Sequence, residues 1–423
     1  MFKRLEIFHW RQFEDINIDV NKNLTVLTGA NGAGKTTLLN IFGKHFGWNY
    51  QWISTPSIDE KTGSYVYLTG VWKKILRSKS NHDLKNKGLK IGSIEYLDAE
   101  LSKSYIYVPK PSKLTYDINF APFQKIEGMH IPSHRPVYQY KEVEAIPTKP
   151  KSSHEYFDEF NRNIIENFLG SNDIFPKKVS ANYILKQSLI ALATFGYGNS
   201  HVAKNKEFID LFEGFQLVLK RLLPKTLGFE RFEIRMPEVV LITKSGDFSL
   251  DSVSGGIASI IGMAWQIYIF SKGKNNFVIT IDEPENHLHP SMQRELMPGL
   301  IKAFPKGQFI VATHSPFIVS SCKEASVYAL SYKETGRVYS RKLDMSDKSG
   351  DATKILREVL GVPVTMPVWV ENEIKEISSK YAGEPLSENL FERMRHEMSL
   401  QGLENLMPDA VSLVVAKHDD KTN

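Results

Sequence analysis

The eight residues GANGAGKT, Gly29 to Thr36, constrain the fold of this chain more than any other stretch. They follow a dense apolar segment that predicts a buried strand, Leu24 to Leu27, and they precede a segment with helical spacing. A glycine-rich turn between a strand and a helix lets backbone N–H groups converge on an anion, and the helix N-terminus adds its dipole. In this context the pattern G-x-x-x-x-G-K-[ST] predicts a phosphate-binding loop. We therefore expect an α/β fold that binds a nucleoside triphosphate.

The side chains of this loop have separate expected roles. Lys35 supplies a positive charge to the phosphates, and the hydroxyl of Thr36 can bind Mg²⁺. We expect ATP and Mg²⁺ to be the cofactors. The other expected nucleotide contacts are the neighbouring loop residues Asn31, Gly32, Ala33, Gly34 and Thr37.

Two further apolar segments end in polar residues that suit a hydrolytic site. FVITIDEPE places Asp282 and Glu283 at the end of a predicted strand. Beside a phosphate-binding loop, Asp282 can hold Mg²⁺ through water and Glu283 can accept a proton from the attacking water. The alternative is a carboxylate pair that caps the next helix. VATHSPF ends another predicted strand at His314, which either reaches the γ-phosphate or makes a structural hydrogen bond.

A serine and two glycines precede the apolar run of LDSVSGGIASIIGMAWQIYIF, Leu250 to Phe270. The run is too short for a bilayer-spanning helix, which needs about 20 apolar residues. We predict a buried helix instead, and we expect no membrane partner. Ser254 would cap this helix, so that its first N–H groups point at an anion.

The chain of 423 residues divides into four expected regions. These are a first lobe with the phosphate-binding loop and an antiparallel sheet (1–150), a helical insertion (151–236), a second lobe (237–343) and a helical extension (344–423). The second lobe begins with a hairpin whose turn is predicted at Ser245–Asp247. The expected fold class is α/β, with a mostly parallel core sheet that binds the nucleotide, an antiparallel β subdomain and a helical insertion.

Cysteine content and the N-terminus indicate where the protein resides. The single cysteine, Cys322, cannot form an internal disulfide, and MFKRLEIFHWRQF has no apolar stretch of signal-peptide length. Both features predict a cytoplasmic protein.

The net charge of +5 is small, but Lys73–Lys90 contains seven Lys and Arg residues against the single Asp83. A solvated loop is the simpler interpretation, because the stretch lacks aromatic residues that stack on bases. Contact with a nucleic-acid backbone is the alternative.

Four motifs, GANGAGKTT, SVSGG, VITIDEPENHLHP and ATHSPF, resemble in this order the ABC-type ATPase heads of the RecF, SMC and OLD-like ATPases. The resemblance covers the core of the chain. It implies that Asp282 and Glu283 are the Walker B pair and that His314 is the switch histidine. It also implies that Ser254, Gly255 and Gly256 form the signature motif. In such heads the signature faces the γ-phosphate held by a partner subunit, so a head-to-head dimer or a larger homo-oligomer is implied.

Several positions depart from the family pattern. Ile257 follows the signature where many members carry Glu or Gln. Gln139 is the candidate for the Q-loop glutamine, and Arg11 in HWRQF resembles an N-terminal arginine near the nucleotide. VWVENE, around Glu371, resembles the first element of a Toprim nuclease, but Asn372 replaces the expected glycine and no D-x-D follows. We therefore expect no nuclease centre in this chain.

The compact size and the tail REVLGVPVTMPVWVENE resemble the stand-alone ATPase subunits of bacterial anti-phage systems, first the AriA type of PARIS and second the PtuA type of Septu. The resemblance implies a separately encoded effector nuclease, Toprim-type in PARIS or HNH-type in Septu, and a phage-encoded trigger protein. The expected function is an ATP-hydrolysing sensor or scaffold that oligomerises around ATP and controls this nuclease. The alternative is a RecF-like repair ATPase that grips DNA through Lys73–Lys90, with binding that weakens steeply with salt.

Overall fold

The chain forms two compact units, Met1–Ile355 and Leu356–Asn423. The computed structural model describes residues 1–72, 88–97, 100–109, 114–135, 140–149, 151–169, 180–344, 352–360, 367–381, 384–385, 387–408, 410–411 and 414–415. The phosphate-binding loop, the signature segment and the two strands that end in polar residues all lie in the first unit.

One sheet of eleven strands forms the centre of the first unit. In spatial order its strands are β10 (Asn119–Ala121), β8 (Lys103–Val108), β7 (Leu89–Tyr96), β1 (Phe2–Trp10), β2 (Phe13–Asp19), β18 (Val338–Lys342), β17 (Ser326–Tyr332), β3 (Leu24–Gly29), β16 (Gly307–Ala312), β15 (Phe277–Asp282) and β11 (Gly128–Ile131). From β17 to β11 all neighbours pair in parallel, and from β10 to β2 all pair antiparallel. The α/β class and the mostly parallel core are therefore confirmed, and the antiparallel strands extend the same sheet.

The parallel strands β3, β15 and β16 consist entirely of buried residues. Strands that are covered on both faces need apolar side chains in both directions, which explains the continuous apolar runs in the sequence. In register, Asp282 lies opposite Ala312, and Ala312 lies opposite Leu27. The carboxyl ends of the three strands thus meet at one edge of the sheet, as the sequence predicts for Asp282 and His314.

Three smaller sheets complete the β structure. Their strands are β4 (Trp52–Ile53) with β9 (Thr115–Tyr116), β5 (Thr55–Ile58) with β6 (Tyr65–Leu68), and β12 (Phe229–Arg235) with β13 (Glu238–Thr243) and β14 (Gly246–Ser249).

Three features of the β structure differ from the sequence predictions. The antiparallel sheet expected in the first lobe does not include Tyr65–Leu68, which forms a separate two-stranded sheet with Thr55–Ile58. The hairpin of β13 and β14 is confirmed, although its turn lies at Lys244 and Ser245 rather than at Ser245–Asp247. The strand β12 lies at the end of the region 151–236, which was expected to be helical, and it pairs with β13. Charged residues interrupt its apolar pattern irregularly, so the sequence does not indicate a strand there.

The helices of the described residues are α1 (Lys35–Gly43), α2 (Ser153–Leu169), α3 (Ala181–Tyr197), α4 (Lys206–Leu222), α5 (Gly255–Ser271), α6 (Pro290–Ala303), α7 (Pro316–Val319), α8 (Ala352–Lys354), α9 (Val368–Tyr381) and α10 (Glu388–Leu400). A π-helical turn follows at Ile355–Val359, and short 3-10 turns occur at Lys44–Phe46, Leu250–Ser252 and Glu404–Leu406.

The predicted buried helix is α5. Its residue Trp265 is fully buried and packs edge to face on Phe215 of α4, with ring centroids 5.0 Å apart, and on Tyr156 of α2. The helices of the insertion therefore cover the helix that begins at the signature. Nowhere in the described part of the chain does a helix have the length and apolar character needed to cross a membrane.

The second unit contains α9 and α10, which share a core of their own. Its buried residues are Val370, Ile374, Ile377, Tyr381, Leu390, Met394, Met398, Leu403, Ala410 and Val414. The helical character predicted for the C-terminal extension is confirmed for the described residues. Glu371 lies in the first turn of α9 and pairs with Lys375 on the same helix, whereas a Toprim glutamate is expected at the end of a strand.

Candidate nucleotide-binding site

The phosphate-binding loop joins β3 to α1 as predicted. Gly29 and Gly34 have φ angles of 134° and 96°, which favour glycine. A Cβ on Gly29 would collide with the backbone of Leu330, and one on Gly34 would collide with the ring of Phe13. Among the described residues no side chain caps α1, so the first N–H groups of this helix are available to an anion.

Lys35 is buried and folds back on its own loop. Its Nζ donates hydrogen bonds to the carbonyls of Gly29 and Ala30, at 3.0 and 3.1 Å. Burial lowers the pKa of Lys35 to about 8, and the nearby carboxylates of Asp282 and Glu283 oppose this effect. Lys35 therefore remains mostly protonated at neutral pH and can exchange the loop carbonyls for phosphate oxygens.

Asp282 contacts the loop from the end of β15. The hydroxyl of Thr36 donates a hydrogen bond of 2.8 Å to Asp282 Oδ2. Burial raises the pKa of Asp282 to about 6, while the hydrogen bond from Thr36 acts in the opposite direction. A hydroxyl and a carboxylate oxygen side by side fit Mg²⁺, which takes few protein ligands and keeps water and phosphate oxygens for the rest.

Glu283 follows Asp282 in a left-handed backbone conformation with a φ angle of 47°. Its N–H donates to the carbonyl of Ala312 at 2.8 Å, which extends the pairing of β15 with β16 by one bond. The amide of Asn286 donates to Glu283 Oε2, also at 2.8 Å. Asn286 therefore orients the carboxylate, a role that the sequence did not reveal.

Glu285 connects the segment after β15 with the end of β16. Its Oε1 accepts hydrogen bonds from the Thr313 hydroxyl at 2.6 Å and from the N–H groups of His314 and Ser315 at 2.8 and 3.2 Å. Its other oxygen is buried without a hydrogen-bond partner among the described residues. This single carboxylate sets the backbone from which the side chain of His314 projects.

His314 is half-buried at the end of β16. Burial lowers its pKa, the charge of Lys35 lowers it further, and Glu283 raises it. The imidazole is consequently neutral at neutral pH.

Arg135 was not predicted, yet it contacts both the segment at the end of β15 and α5. Its guanidinium donates to Ser259 Oγ and to the carbonyl of Glu283, both at 2.8 Å, with longer contacts of 3.4 Å to the carbonyls of Asp282 and Pro284. Burial lowers the pKa of Arg135 to about 10, and nearby carboxylates counteract this. Its position in the loop after β11 carries no sequence pattern that could have identified it.

The signature segment caps α5 as predicted. Ser254 Oγ accepts a hydrogen bond from the N–H of Ile257 at 3.5 Å. Ser254 and Gly255 are exposed, and a Cβ built on Gly255 would meet no atom of the described residues within 4 Å. A Cβ on Gly256 would come within 2.8 Å of the His287 carbonyl, so this position requires glycine. Ile257 is only 9% exposed, and the signature thus presents backbone N–H groups without a polar side chain at this position.

Arg11 precedes Gln12, the residue whose side chain contacts the phosphate-binding loop. Its guanidinium donates to the carbonyl of Ile53 at 2.7 Å and lies 5.4 Å from the ring centroid of Trp52. The following residue, Gln12, donates to the carbonyl of Gly32 at 3.4 Å. Gln12 is therefore a candidate site residue that the HWRQF motif contained but that the sequence interpretation passed over.

Two predictions fall outside the described residues. These are the Q-loop assignment of Gln139 and the basic stretch Lys73–Lys90, except for its last three residues.

Comparison with known proteins gives two family matches. The AAA ATPase domain family matches residues 139–319, and an AAA domain family matches residues 4–103. The Septu protein PtuA of Bacillus thuringiensis is 22% identical in an alignment of 409 residues that covers 93% of this chain and 92% of the relative. The Retron Ec83 probable ATPase of Escherichia coli is 30% identical over 114 residues, 24% of this chain and 21% of that protein. These matches support an ATPase of the AAA type.

Solved structures similar to this ATPase include SMC head domains. The head with an extended coiled coil, bound to the C-terminal domain of ScpA and derived from Pyrococcus furiosus, has a TM-score of 0.44 and 15% identity, with 85% of this chain and 99% of that chain covered. The SMC head domain from Thermotoga maritima has a TM-score of 0.41 and 12% identity, with 81% and 99% covered. The relative that aligns over most of this chain is of the Septu type, the second of the two types that the sequence predicts. The PARIS type stays a prediction.

Acidification is expected to weaken Mg²⁺-dependent nucleotide binding to this ATPase through Asp282. Burial raises the pKa of Asp282 to about 6, so the carboxylate is ionised above that pH and protonated below it. Because the cation requires the ionised form, affinity for Mg²⁺ with ATP should fall by up to about tenfold per pH unit below pH 6. Fluorescence titration with a labelled nucleotide across this pH range measures the effect.

The Asp282→Asn variant is the control, because the titration of the Asp282 carboxyl is absent from it while every other titrating group is unchanged. Its affinity should be lower at neutral pH, and its pH profile should be flatter than that of the wild type. Identical profiles for the two proteins would contradict a role for the Asp282 carboxylate.

Proposed function

We propose that this chain is an ATP-hydrolysing sensor or scaffold subunit of an anti-phage defence complex, which oligomerises around ATP and controls a separately encoded nuclease. The observation that carries the hydrolytic part is the 2.8 Å contact between Thr36 and Asp282, with Lys35 beside them and Glu283 next along the chain. Similarity to the Septu protein over most of both chains supports the defence role. A Septu-like system implies an HNH-type nuclease, and a PARIS-like system implies a Toprim-type nuclease.

Nucleotide binding begins at the loop between β3 and α1. The N–H groups at the start of α1 and the ammonium of Lys35 hold the phosphates, and Lys35 gives up its bonds to Gly29 and Ala30 as it does so. Thr36 and Asp282 would hold Mg²⁺, which would offset the charge of the phosphate oxygens.

Hydrolysis transfers the γ-phosphoryl group to water. The water oxygen forms a bond to the γ-phosphorus, the bond to the bridging oxygen of ADP breaks, and Glu283 accepts the proton of the water. Asn286 holds the carboxylate in the orientation that this proton transfer needs. The neutral imidazole of His314 donates a hydrogen bond to the γ-phosphate from the end of β16.

The signature completes the site of a second copy. Ser254 and Gly255 are exposed at the start of α5, and Gly255 has open space around it. A helix N-terminus of this kind attracts an anion. In a head-to-head pair, the anion is the γ-phosphate held by the partner, so each site consists of a loop from one copy and a signature from the other.

Replacing Glu283 should separate hydrolysis from nucleotide binding. Glu283→Gln keeps the size and the contact with Asn286 but cannot accept the proton, so the turnover rate should fall by about 100-fold or more. ATP-bound oligomers should then accumulate, which mass photometry detects. Lys35→Ala, which cannot hold the phosphates, should form no such oligomers. Hydrolysis at the wild-type rate in Glu283→Gln would show that another group accepts the proton.

Replacing Ser254 should abolish hydrolysis while sparing nucleotide binding. Ser254→Arg places a bulky side chain at the exposed start of α5, but it leaves Lys35 of the same copy unchanged. ATP-driven association and turnover should be lost, and the affinity for a labelled nucleotide should stay within about twofold of wild type. Ser387→Arg is a matched control, because Ser387 is also an exposed helix cap, at α10. Full hydrolysis in Ser254→Arg would remove the signature from the mechanism.

Phage challenge tests the defence role. Cells that carry this chain together with its neighbouring genes should resist phage infection, and Lys35→Ala should abolish resistance because the chain no longer binds ATP. Plaque counts measure the difference, with Gln51→Met at an exposed position as the control that retains resistance. Equal protection by the wild type and by Lys35→Ala would contradict an ATP-dependent sensor.

A further inference from the structure

A buried charge cluster joins the helical insertion to the turn before the signature. Lys186, on α3, is fully buried. Its Nζ donates to Asp251 Oδ2 at 2.7 Å, to Glu238 Oε2 at 2.6 Å and to the carbonyl of Lys141 at 3.2 Å. Burial lowers the pKa of Lys186, but its hydrogen bonds to Asp251 and Glu238 outweigh burial and raise the pKa above the ordinary value. Lys186 is therefore charged at neutral pH.

Asp251 receives two donors from the same helix. Its Oδ2 accepts from Lys186, and its Oδ1 accepts from the amide of Asn182, one helical turn earlier on α3. The Asp251 side chain is only 5% exposed. It belongs to the 3-10 turn Leu250–Ser252, which ends two residues before Ser254. Helix α3 thus holds the segment that leads directly into the signature.

Glu238 belongs to the other side of the same connection. It lies on β13, which pairs with β14, and β14 runs into the turn that contains Asp251. Lys186 therefore contacts both β13, which pairs with the strand before the turn, and the turn itself. A buried ion pair is weak support for stability, because well-packed apolar residues of similar size are often at least as stable. A fixed orientation of the turn is what directional charged contacts provide and apolar packing does not.

We infer that Lys186 and Asp251 are positioning residues, which set Ser254 and the first N–H groups of α5 for the γ-phosphate held by a partner copy. The inference rests on the proposed function of the signature in the partner's site. A displacement of about 1 Å in a positioned group can cost roughly 100-fold in rate. Loosening the turn should therefore lower hydrolysis without affecting nucleotide binding to the same copy.

Two matched variants each replace one of the two carboxylates that accept hydrogen bonds from Lys186. In Asp251→Asn, the new amide group must face a donor, either Lys186 or the amide of Asn182, so one contact with the turn is lost. In Glu238→Gln, the amide can face the Oε1 side, where the carboxylate has no hydrogen-bond partner among the described residues. Asp251→Asn should lower turnover by about tenfold or more, and Glu238→Gln should stay within about threefold of wild type. Both should bind a labelled nucleotide as the wild type does.

Mixing of subunits distinguishes positioning in the partner's site from a fold defect. Lys35→Ala keeps an intact signature, and Asp251→Asn keeps an intact phosphate-binding loop. Lys35→Ala alone should be inactive and Asp251→Asn alone should keep about a tenth of the wild-type turnover or less, whereas their mixture forms one complete site per pair and should exceed both. A structural defect in Asp251→Asn would not be rescued in this way.

The mixture of Lys35→Ala with Ser254→Arg is the control for the proposed function. Recovery in this control but not in the mixture with Asp251→Asn would overturn the positioning role and leave the signature's role intact. Recovery in neither mixture would overturn the role of the signature in the partner's site, and the inference with it. If Asp251→Asn does not fold, Asn182→Ala, which removes only one of the two donors to Asp251, takes its place. Wild-type turnover of the folded variant would also overturn the inference.

Discussion

The parallel register of β3, β16 and β15 is the constraint on which the candidate site depends. Each strand is buried along its whole length, so a slip by one residue would turn every buried side chain to the opposite face of the sheet, where it does not fit. With the register held in this way, Asp282 lies opposite Ala312 and Ala312 opposite Leu27. The loop that begins at Gly29, the carboxylates after β15 and the histidine after β16 then share one edge of the sheet.

Contacts beyond this register orient the reacting groups. Glu285 accepts hydrogen bonds from the N–H groups of His314 and Ser315, and Asn286 donates one to the carboxylate of Glu283. Both lie within four residues of Asp282, so one short segment supplies the proposed metal ligand, the proposed base and the groups that hold the surroundings in place. Arg135 adds the contact from this segment to Ser259 on α5.

Sequence reasoning identified the parts of the site that are contiguous and lie at element ends. The loop with Lys35, the strand that ends at Asp282 and the cap at Ser254 each combine a short pattern with a clear apolar run. The contact between Lys186 and Asp251 spans 65 positions and depends on how α3 packs, so no local pattern indicates it. The same holds for Arg135, and for the joining of the antiparallel strands to the parallel core. Long-range packing decides these features, and propensity does not.

The tight approach of Gly256 to the carbonyl of His287 connects the start of α5 with the segment that follows Glu283. Arg135 links the same two elements a turn further along. If two copies pair as proposed, a shift caused by the nucleotide in one copy would be passed through these contacts to the phosphate that its partner holds. The two sites would then be thermodynamically coupled, and reciprocity requires that each influence the other's affinity equally. The close contact between Gly256 and His287 would thereby make the response to ATP concentration cooperative.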